Sequence, residues 1–551
     1  MIEISGIHVP LSALDGTDAQ ELKVLRRAVV RRLHLRPEDV ERVERRKRSI
    51  DARKKGDVQL VFTVRAELTG RDDAEQRVLD DLGRRHDARN VRTVCEVPFS
   101  LARAPHALER PPVVVGAGCA GLFCALALAE AGLQPLLVER GDDATRRSAV
   151  VMRHVETGEL DPECNIQFGI GGAGTFSDGK LQTGTRAPSH RLILQTFVDA
   201  GAQQEILWDA KPHIGSDVLP AVVTNIVARI ELAGGEVRCR TRMTGLDVAE
   251  GRVSGVTLVS TDPTGLAREE RVATDCVVLA CGHSARDVYQ LLRDLGVALE
   301  RKTFAMGVRI EHPQRLIDEA LYGRAAGNPA LGAAPYSLSV NVPGGRSAFS
   351  FCMCPGGYVV SAASEPGGVC TNGMSLSDRA GANANAGLLA NVFPEDLPGE
   401  DPLAGVELQR ACERAAFAAG GGAYVAPAQL VADFLQGVPS SMGGRVEPTY
   451  PRGVTWGDVS DCLPSYVTQT LRDAIPLLDR RLRSFALADA VLTGVETRSS
   501  SPVRVTRGQD LQSLSCSGLW PCGEGAGYAG GIMSAAADGI RVAEAIVRGV
   551  A

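Results

Sequence analysis

Hydrophobic positions along the chain fall into recognisable periods. Ile2 to Val9 reads as a strand, Leu22, Leu25, Val29 and Leu33 share one face of a helix over about Ala19 to His34, and Val58 to Leu68 alternates as a second strand. This predicts a small α/β module over residues 1–105, ended by a linker at Arg103 to Pro112 with three prolines. A β-branched run then appears at Val113, Val114 and Val115, followed by an Ala/Leu-rich helix and an apolar run ending in Glu139. From Val237 to Arg271 short alternating segments predict a meander. It feeds the unbroken apolar strand that starts at Cys276 and ends in Ala280-Cys281-Gly282, and such a strand needs cover on both faces, as in a parallel sheet. Mixed strands and Gly/Pro turns occupy about 300 to 460, and an Ala-rich helix runs from Ile532 to about Val547. The predicted division is an N-terminal module (1–105), a first part of a Rossmann domain (110–300), an inserted α+β substrate or cap domain (301–460) and a C-terminal part of the Rossmann domain (461–551).

The segment Pro112 to Gly141 carries Gly116-x-Gly118-x-x-Gly121 between the first strand and the helix. In a β-α-β unit the first glycine allows the tight turn, the second admits a pyrophosphate close to the backbone, and the third lets the helix lie against the strand. Glu139, at the end of the second strand, is placed to accept the hydroxyls of an adenosine ribose. The unit therefore reads as a dinucleotide site.

Two further stretches fit a flat ligand. Asn165 to Lys180 has five glycines from Gly169 onward, interleaved with Phe168, Thr175, Phe176 and Asp178, and predicts a bare loop that is neither helix nor strand. Gly523-Glu524-Gly525 opens a second glycine-rich entry to a helix, with five glycines from Gly523 to Gly531. There Glu524 can accept from a ribityl hydroxyl, and the helix N-terminus can face the edge of a flavin where negative charge develops.

Composition narrows the class. The apolar share of 44%, charged share of 23% and net charge of -6 describe a globular chain with no global pull on nucleic acid. The start of the chain lacks a signal-peptide pattern and no long uncharged apolar run occurs, so a cytoplasmic location with no membrane contact is expected. Fourteen cysteines without regular spacing argue for a reducing compartment, and no metal site is expected. Cys352-x-Cys354 on a regular strand reads as packing first. Arg45 to Lys55 carries seven basic residues against Asp51, which fits a solvated loop or docking surface as readily as an anion or RNA contact.

The motifs NIQFGIGGAGTFSDGKL (165–181), KPHIGSDVL (211–219), VLACGHSARD (278–287), GVRIEHP (307–313), FCMCPGG (351–357), TNGMSLSDR (371–379), VETRSSSPVR (495–504) and PCGEGAGYAGGIMSAAADGI (521–540) resemble those of the bacterial predicted FAD-dependent dehydrogenases over nearly the whole chain. Ile170 departs from that pattern, which has an acidic residue there. The resemblance implies noncovalent FAD on a glutathione-reductase-like fold and a distant likeness to tRNA-modifying flavoproteins. By position it implies FAD contacts at Gly116, Gly118, Gly121, Glu139 and Arg140 for the adenosine half. Gly171, Gly172, Gly174, Ser177 and Lys180 follow in the middle and flavin portion, with Ala280, Gly282, Glu524 and Gly531 closing the site.

A second strand-GxGxxG-helix unit is missing from the sequence, so hydride is expected to come straight from a small organic substrate, or from NAD(P)H bound transiently over the flavin. His213, Arg309, His312 and Arg498 are the candidates for the catalytic side, since an arginine fork can clamp a carboxylate and a neutral histidine can take a proton. Two other readings stand beside this one. They are an RNA-associated flavoprotein that docks through Arg45 to Lys55 and a non-catalytic FAD-binding scaffold.

Overall fold

A computed structural model describes residues 1–70, 73–95, 99–262 and 264–550. The chain forms two compact units. Among the described residues, no helix is long and apolar enough to cross a membrane.

One unit comprises Met1–Phe99, Gln203–Pro212 and Arg315–Ala334. Its antiparallel sheet has the order Val40–Asp51, Gln59–Leu68, Ile2–Pro10, Val91–Thr93. The helix Asp18–Leu33 starts where the Thr17 side chain accepts from the Gln20 amide, and it buries Leu25, Val29 and Leu33. The basic stretch departs from expectation, because Arg45 to Asp51 is strand and not loop. Its arginines are held within the unit: Arg45 pairs with Glu21 at 2.8 Å and with Asp18, and its guanidinium lies 4.2 Å over the Trp208 ring. Arg48 donates to the Ala330 carbonyl at 2.7 Å.

The other unit comprises Ser100–Ala202, His213–Gln314 and Pro335–Ala551. Its centre is a parallel sheet in the order Leu519–Pro521, Val277–Leu279, Val113–Val115, Leu136–Val138, Glu236–Arg238. The first four strands are buried along their whole length, as their unbroken apolar character requires. The meander Thr241–Ala249, Arg252–Thr261, Ala267–Ala273 joins Glu236–Arg238 to Val277–Leu279. Helix Cys119–Glu130 follows the first strand, and helix Ile532–Val550 packs directly on it. A Cβ at Gly539 would stand 2.2 Å from the Ala120 carbonyl oxygen, so only glycine lets the two helices come this close.

A seven-stranded sheet has the order Ser339–Asn341, Ser347–Cys354, Asn383–Val392, Phe304–Pro313, Val491–Glu496, Ala426–Leu430, Val454–Trp456. The expected boundary at 460 falls inside it. Val491–Glu496 is buried at every position and pairs on both sides, so it is a central strand of the inserted sheet. Residues 315–334, expected in the insert, belong to the first unit. Ser347–Cys354 carries a bulge: Phe351 pairs with Gly387 and Cys354 with Asn385, one residue too many on the first strand, and Cys352 has φ 39°.

Candidate functional site

At the C-terminal ends of the parallel strands lies a cavity of about 260 Å³. Open parallel sheets place their ligands in this position. Gly116 turns the chain there with φ 98°, and a Cβ on it would stand 2.7 Å from the Ala280 carbonyl oxygen. Gly121 is out of the cavity and serves packing, since a Cβ there would stand 1.8 Å from the Gly116 oxygen. Two helix N-termini meet the cavity, at Gly118-Cys119 and at Gly531-Ile532, and both present the positive end of a helix dipole.

Glu139 lines one end. Its carboxylate accepts from the amides of Ala117 (2.8 Å), Gly141 (3.0 Å) and Gly169 (2.8 Å), so it ties the phosphate loop to the second glycine loop besides facing the cavity. A carboxylate has about four acceptor positions, which leaves one for a ribose. Arg140 lies 4.2 Å over the Phe168 ring and pairs with Glu163 at 3.0 Å and Asp287 at 2.9 Å. The 165–170 backbone is fixed by a residue that sequence reasoning missed. Buried Arg147 donates to the carbonyls of Asn165, Ile166, Gly169 and Ile170 at 3.0, 2.8, 3.2 and 2.8 Å. The bare loop expected here contains a short 3-10 turn, Gly172–Phe176. Ile170 is buried, so an apolar side chain suits it.

The other end of the cavity gathers charge. Lys180 lies 3.3 Å from Asp178, which Arg379 also holds at 3.0 Å. Burial alone would raise the Asp178 carboxyl, but these two cations hold it down at about 2. Glu524 is pushed up to about 7 by burial, against the Gly531 amide that donates to it at 3.3 Å. His283, 3.8 Å from Glu524, is driven to about 3 by burial and by Arg498 and Arg286, so it is neutral.

Arg498 is the one catalytic candidate of the four that lines the cavity. It is anchored from behind by Glu413. Arg309 does not face the cavity. It is fully buried on a central strand, bound to Glu496 at 3.0 Å and donating to the Cys352 carbonyl at 3.0 Å. His312, on the same strand, meets the Phe485 carbonyl at 2.7 Å and lies outside the cavity. His213 also lies outside it, bridged to Lys180 through the backbone and 3.0 Å from the Ser377 carbonyl through Nε2. Of the cofactor residues, Gly116, Gly118, Glu139, Arg140, Gly171 and Gly172 line the cavity. Gly174, Ser177, Lys180, Ala280, Gly282, Glu524 and Gly531 line it too. Sequence reasoning did not single out Thr241, His283 or Asn372, which also contribute, and Cys352, read there as packing, lines the cavity too.

The cavity suits a dinucleotide on grounds of its own. Gly282 and Gly531 line it with nothing within 4 Å of where a Cβ would sit, so these positions are kept clear. The His283 Nδ1 is buried without a hydrogen-bond partner, which a polar ring in the cavity would supply. Among the described residues, no group of three or more His, Cys, Asp or Glu is placed to hold a metal ion.

Fold and site together define an FAD-binding flavoprotein with a Rossmann-type α/β domain. Residues 112–182 match the FAD binding domain, and residues 303–499 match the family described as FAD-dependent protein, C-terminal domain-like. An uncharacterized protein of Clostridium beijerinckii is 42% identical over 550 residues, covering 99% of this chain and 98% of its own length. The chain belongs to this family of FAD-dependent proteins, and its cofactor is FAD. Residues 1–67 match a domain of unknown function. Among solved structures, the glycerol-3-phosphate dehydrogenase from Bacillus halodurans complexed with FAD has 12% identity and a TM-score of 0.34, over 80% of this chain and 65% of that one. The L-amino acid deaminase from Proteus vulgaris has 13% identity and a TM-score of 0.30, over 83% and 96%.

Proposed function

We propose that the protein is an FAD-dependent oxidoreductase on a glutathione-reductase-like scaffold, passing hydride between a small organic substrate and noncovalent FAD. The observation that carries this reading is the pairing, in one cavity, of a dinucleotide cradle at Gly116 and Glu139 with the charged group Lys180, Arg498, Glu524 and His283. FAD, when bound, supplies a two-electron hydride acceptor. Gly116, Gly118 and the amides opening helix Cys119–Glu130 hold its pyrophosphate, and Glu139 stands at its ribose. The helix dipole at Ile532 favours the negative charge that reduction places on the flavin. Arg498, whose Nε and Nη2 are held by Glu413, offers its remaining N–H groups and its charge to a substrate carboxylate. Glu524, poised at about 7, holds or releases a proton near neutral pH, whereas neutral His283 donates or accepts a hydrogen bond. The inserted seven-stranded sheet forms the substrate side, and NAD(P)H serves as a transient donor where no organic substrate does.

Against the nucleic-acid reading, Arg45 and Arg48 are engaged with acids and carbonyls of their own unit, which leaves exposed Arg53, Lys54 and Lys55 as the basic residues it would rest on. The test is anaerobic mixing of the FAD-loaded protein with NADH, NADPH and a panel of small carboxylates. Loss of the flavin's visible absorbance with one of them is the expected result. A protein that takes up no FAD, or whose flavin responds only to dithionite, overturns the proposal.

A further inference from the structure

Cys352-x-Cys354 would be ordinary packing on a regular strand. There the Cα atoms of residues i and i+2 lie about 6.7 Å apart, at the outer limit for a disulfide, and their Cβ bonds run parallel. The bulge takes the pair out of that regular geometry. With Cys352 in the left-handed region at φ 39°, the alternation is broken, Cys352 lines the FAD cavity, and Cys354 is fully buried outside the lining. A β-branched or bulky residue resists that backbone, and bulges beside active sites commonly re-aim one side chain. One ammonium serves both sulfurs, since Lys180 Nζ lies 3.9 Å from Cys352 Sγ and 3.8 Å from Cys354 Sγ. Arg309 Nη2 lies 3.8 Å from Cys354 Sγ, so one buried and one half-buried cation face two thiols at the edge of the cofactor cavity. Each cation also meets an acid, Asp178 for Lys180 and Glu496 for Arg309, so the thiols share a charged network with them.

We propose that Cys352 and Cys354 form a redox-active dithiol that exchanges an electron pair with the bound flavin. Cys352, as thiolate, and Cys354, as thiol, form an S–S bond. The Cys354 S–H bond breaks, and two electrons and that one proton pass to oxidised FAD, leaving it in the anionic two-electron-reduced form. The reverse step restores the dithiol. Cys352 is the cavity-facing member and Cys354 resolves it from behind. Lys180 is the group within reach of both sulfurs that can relay the proton. The electrostatics agree with these roles. Hydrogen bonding from Cys354, against burial and helped by Lys180 and Arg309, brings the Cys352 thiol well below its ordinary value, while burial pushes the Cys354 thiol up. The proposal needs only bound FAD and holds whichever molecule brings hydride.

Anaerobic dithionite titration of the air-oxidised holoprotein tests it without any substrate. Four electrons per FAD are expected, two for the flavin and two for the disulfide, falling to two in Cys352→Ser and in Cys354→Ser. Two electrons per FAD in the unaltered protein overturn it. Peptide mapping after alkylation reads the same pair independently of any variant's folding. A Cys352–Cys354 link in the oxidised protein and two alkylated thiols in the reduced one support the proposal. Two free thiols after oxidation, or a link from either to any other cysteine, overturn it.

Discussion

Arg498 meets Glu413 through two side-by-side hydrogen bonds, Nε to Oε1 at 2.8 Å and Nη2 to Oε2 at 2.7 Å. The same carboxylate takes Arg286 at 2.8 Å and the Thr497 hydroxyl at 2.7 Å, all of them buried. Glu413 thus carries the charge balance behind the cavity wall. Glu413→Gln leaves two buried guanidiniums opposite a neutral group and is expected to cost about 3–5 kcal/mol, read from urea unfolding. Burial alone would raise the Glu413 carboxyl, but Arg498 and Arg286 hold it far below its ordinary value of 4.5. Its contribution is therefore complete above about pH 4.5 and is lost as pH falls below that. The penalty of Glu413→Gln should shrink on acidification.

Glu524 has the opposite sign. Burial raises it to about 7, so between its unfolded value and 7 the folded protein holds the extra proton, and stability declines as pH rises through that window. Glu524→Gln removes the titration. The apoprotein carrying it should gain over the parent, by on the order of 1 kcal/mol, as pH goes from 6 to 8. A pH-independent difference between their melting points would refute the assignment.

Gly121→Ala and Gly282→Ala should separate packing from cavity. The first places a Cβ 1.8 Å from the Gly116 oxygen and is expected to abolish folding or solubility. At Gly282 a Cβ meets nothing within 4 Å, so the cost is the left-handed backbone alone, about 1–2 kcal/mol. That variant should fold and bind FAD more weakly, as measured by quenching of flavin fluorescence.

Lys180→Met withdraws a cation from Cys352, whose thiol then titrates higher. In the reduced parent, alkylation of Cys352 should already be close to its plateau at pH 7, because Cys354, Lys180 and Arg309 hold its thiol well below its ordinary value of 9. In the variant the rate should still climb between pH 6 and 8, falling about tenfold for each unit by which the inflection lies above the working pH.

The parts of the site written in local chemistry were legible in the sequence. Gly116, Gly118 and Gly121 announce a turn and a helix start through their spacing alone, and the Gly121 contact with Gly116 lies within five residues. The glycine loops at 169–180 and 523–531 could be read for the same reason. Arg309 and His312 could not. A polar pair in VRIEHP suggests an exposed, reactive edge, yet the strand is central to a seven-stranded sheet, and the acid that neutralises Arg309 is Glu496, far along the chain. The basic run at Arg45 misled similarly, since its counter-charges Asp18 and Glu21 sit on a helix that precedes it. Cys352 was misjudged because a bulge is a property of two strands, and its partner strand Asn383–Val392 begins about thirty residues later. Arg147 gave no signal at all, because what it binds are main-chain carbonyls.

Helix Ile532–Val550 lies on helix Cys119–Glu130 through Gly539, and strand Leu519–Pro521 closes one edge of the parallel sheet. The cofactor's two anchoring helices are therefore made at widely separated times as the ribosome works along the message. The Gly116 loop emerges early, and the face of Cys119–Glu130 that Ile532–Val550 covers stays unpaired until the last helix is synthesised. A chain cut before Ile532 is therefore expected to hold FAD poorly and to aggregate through that face.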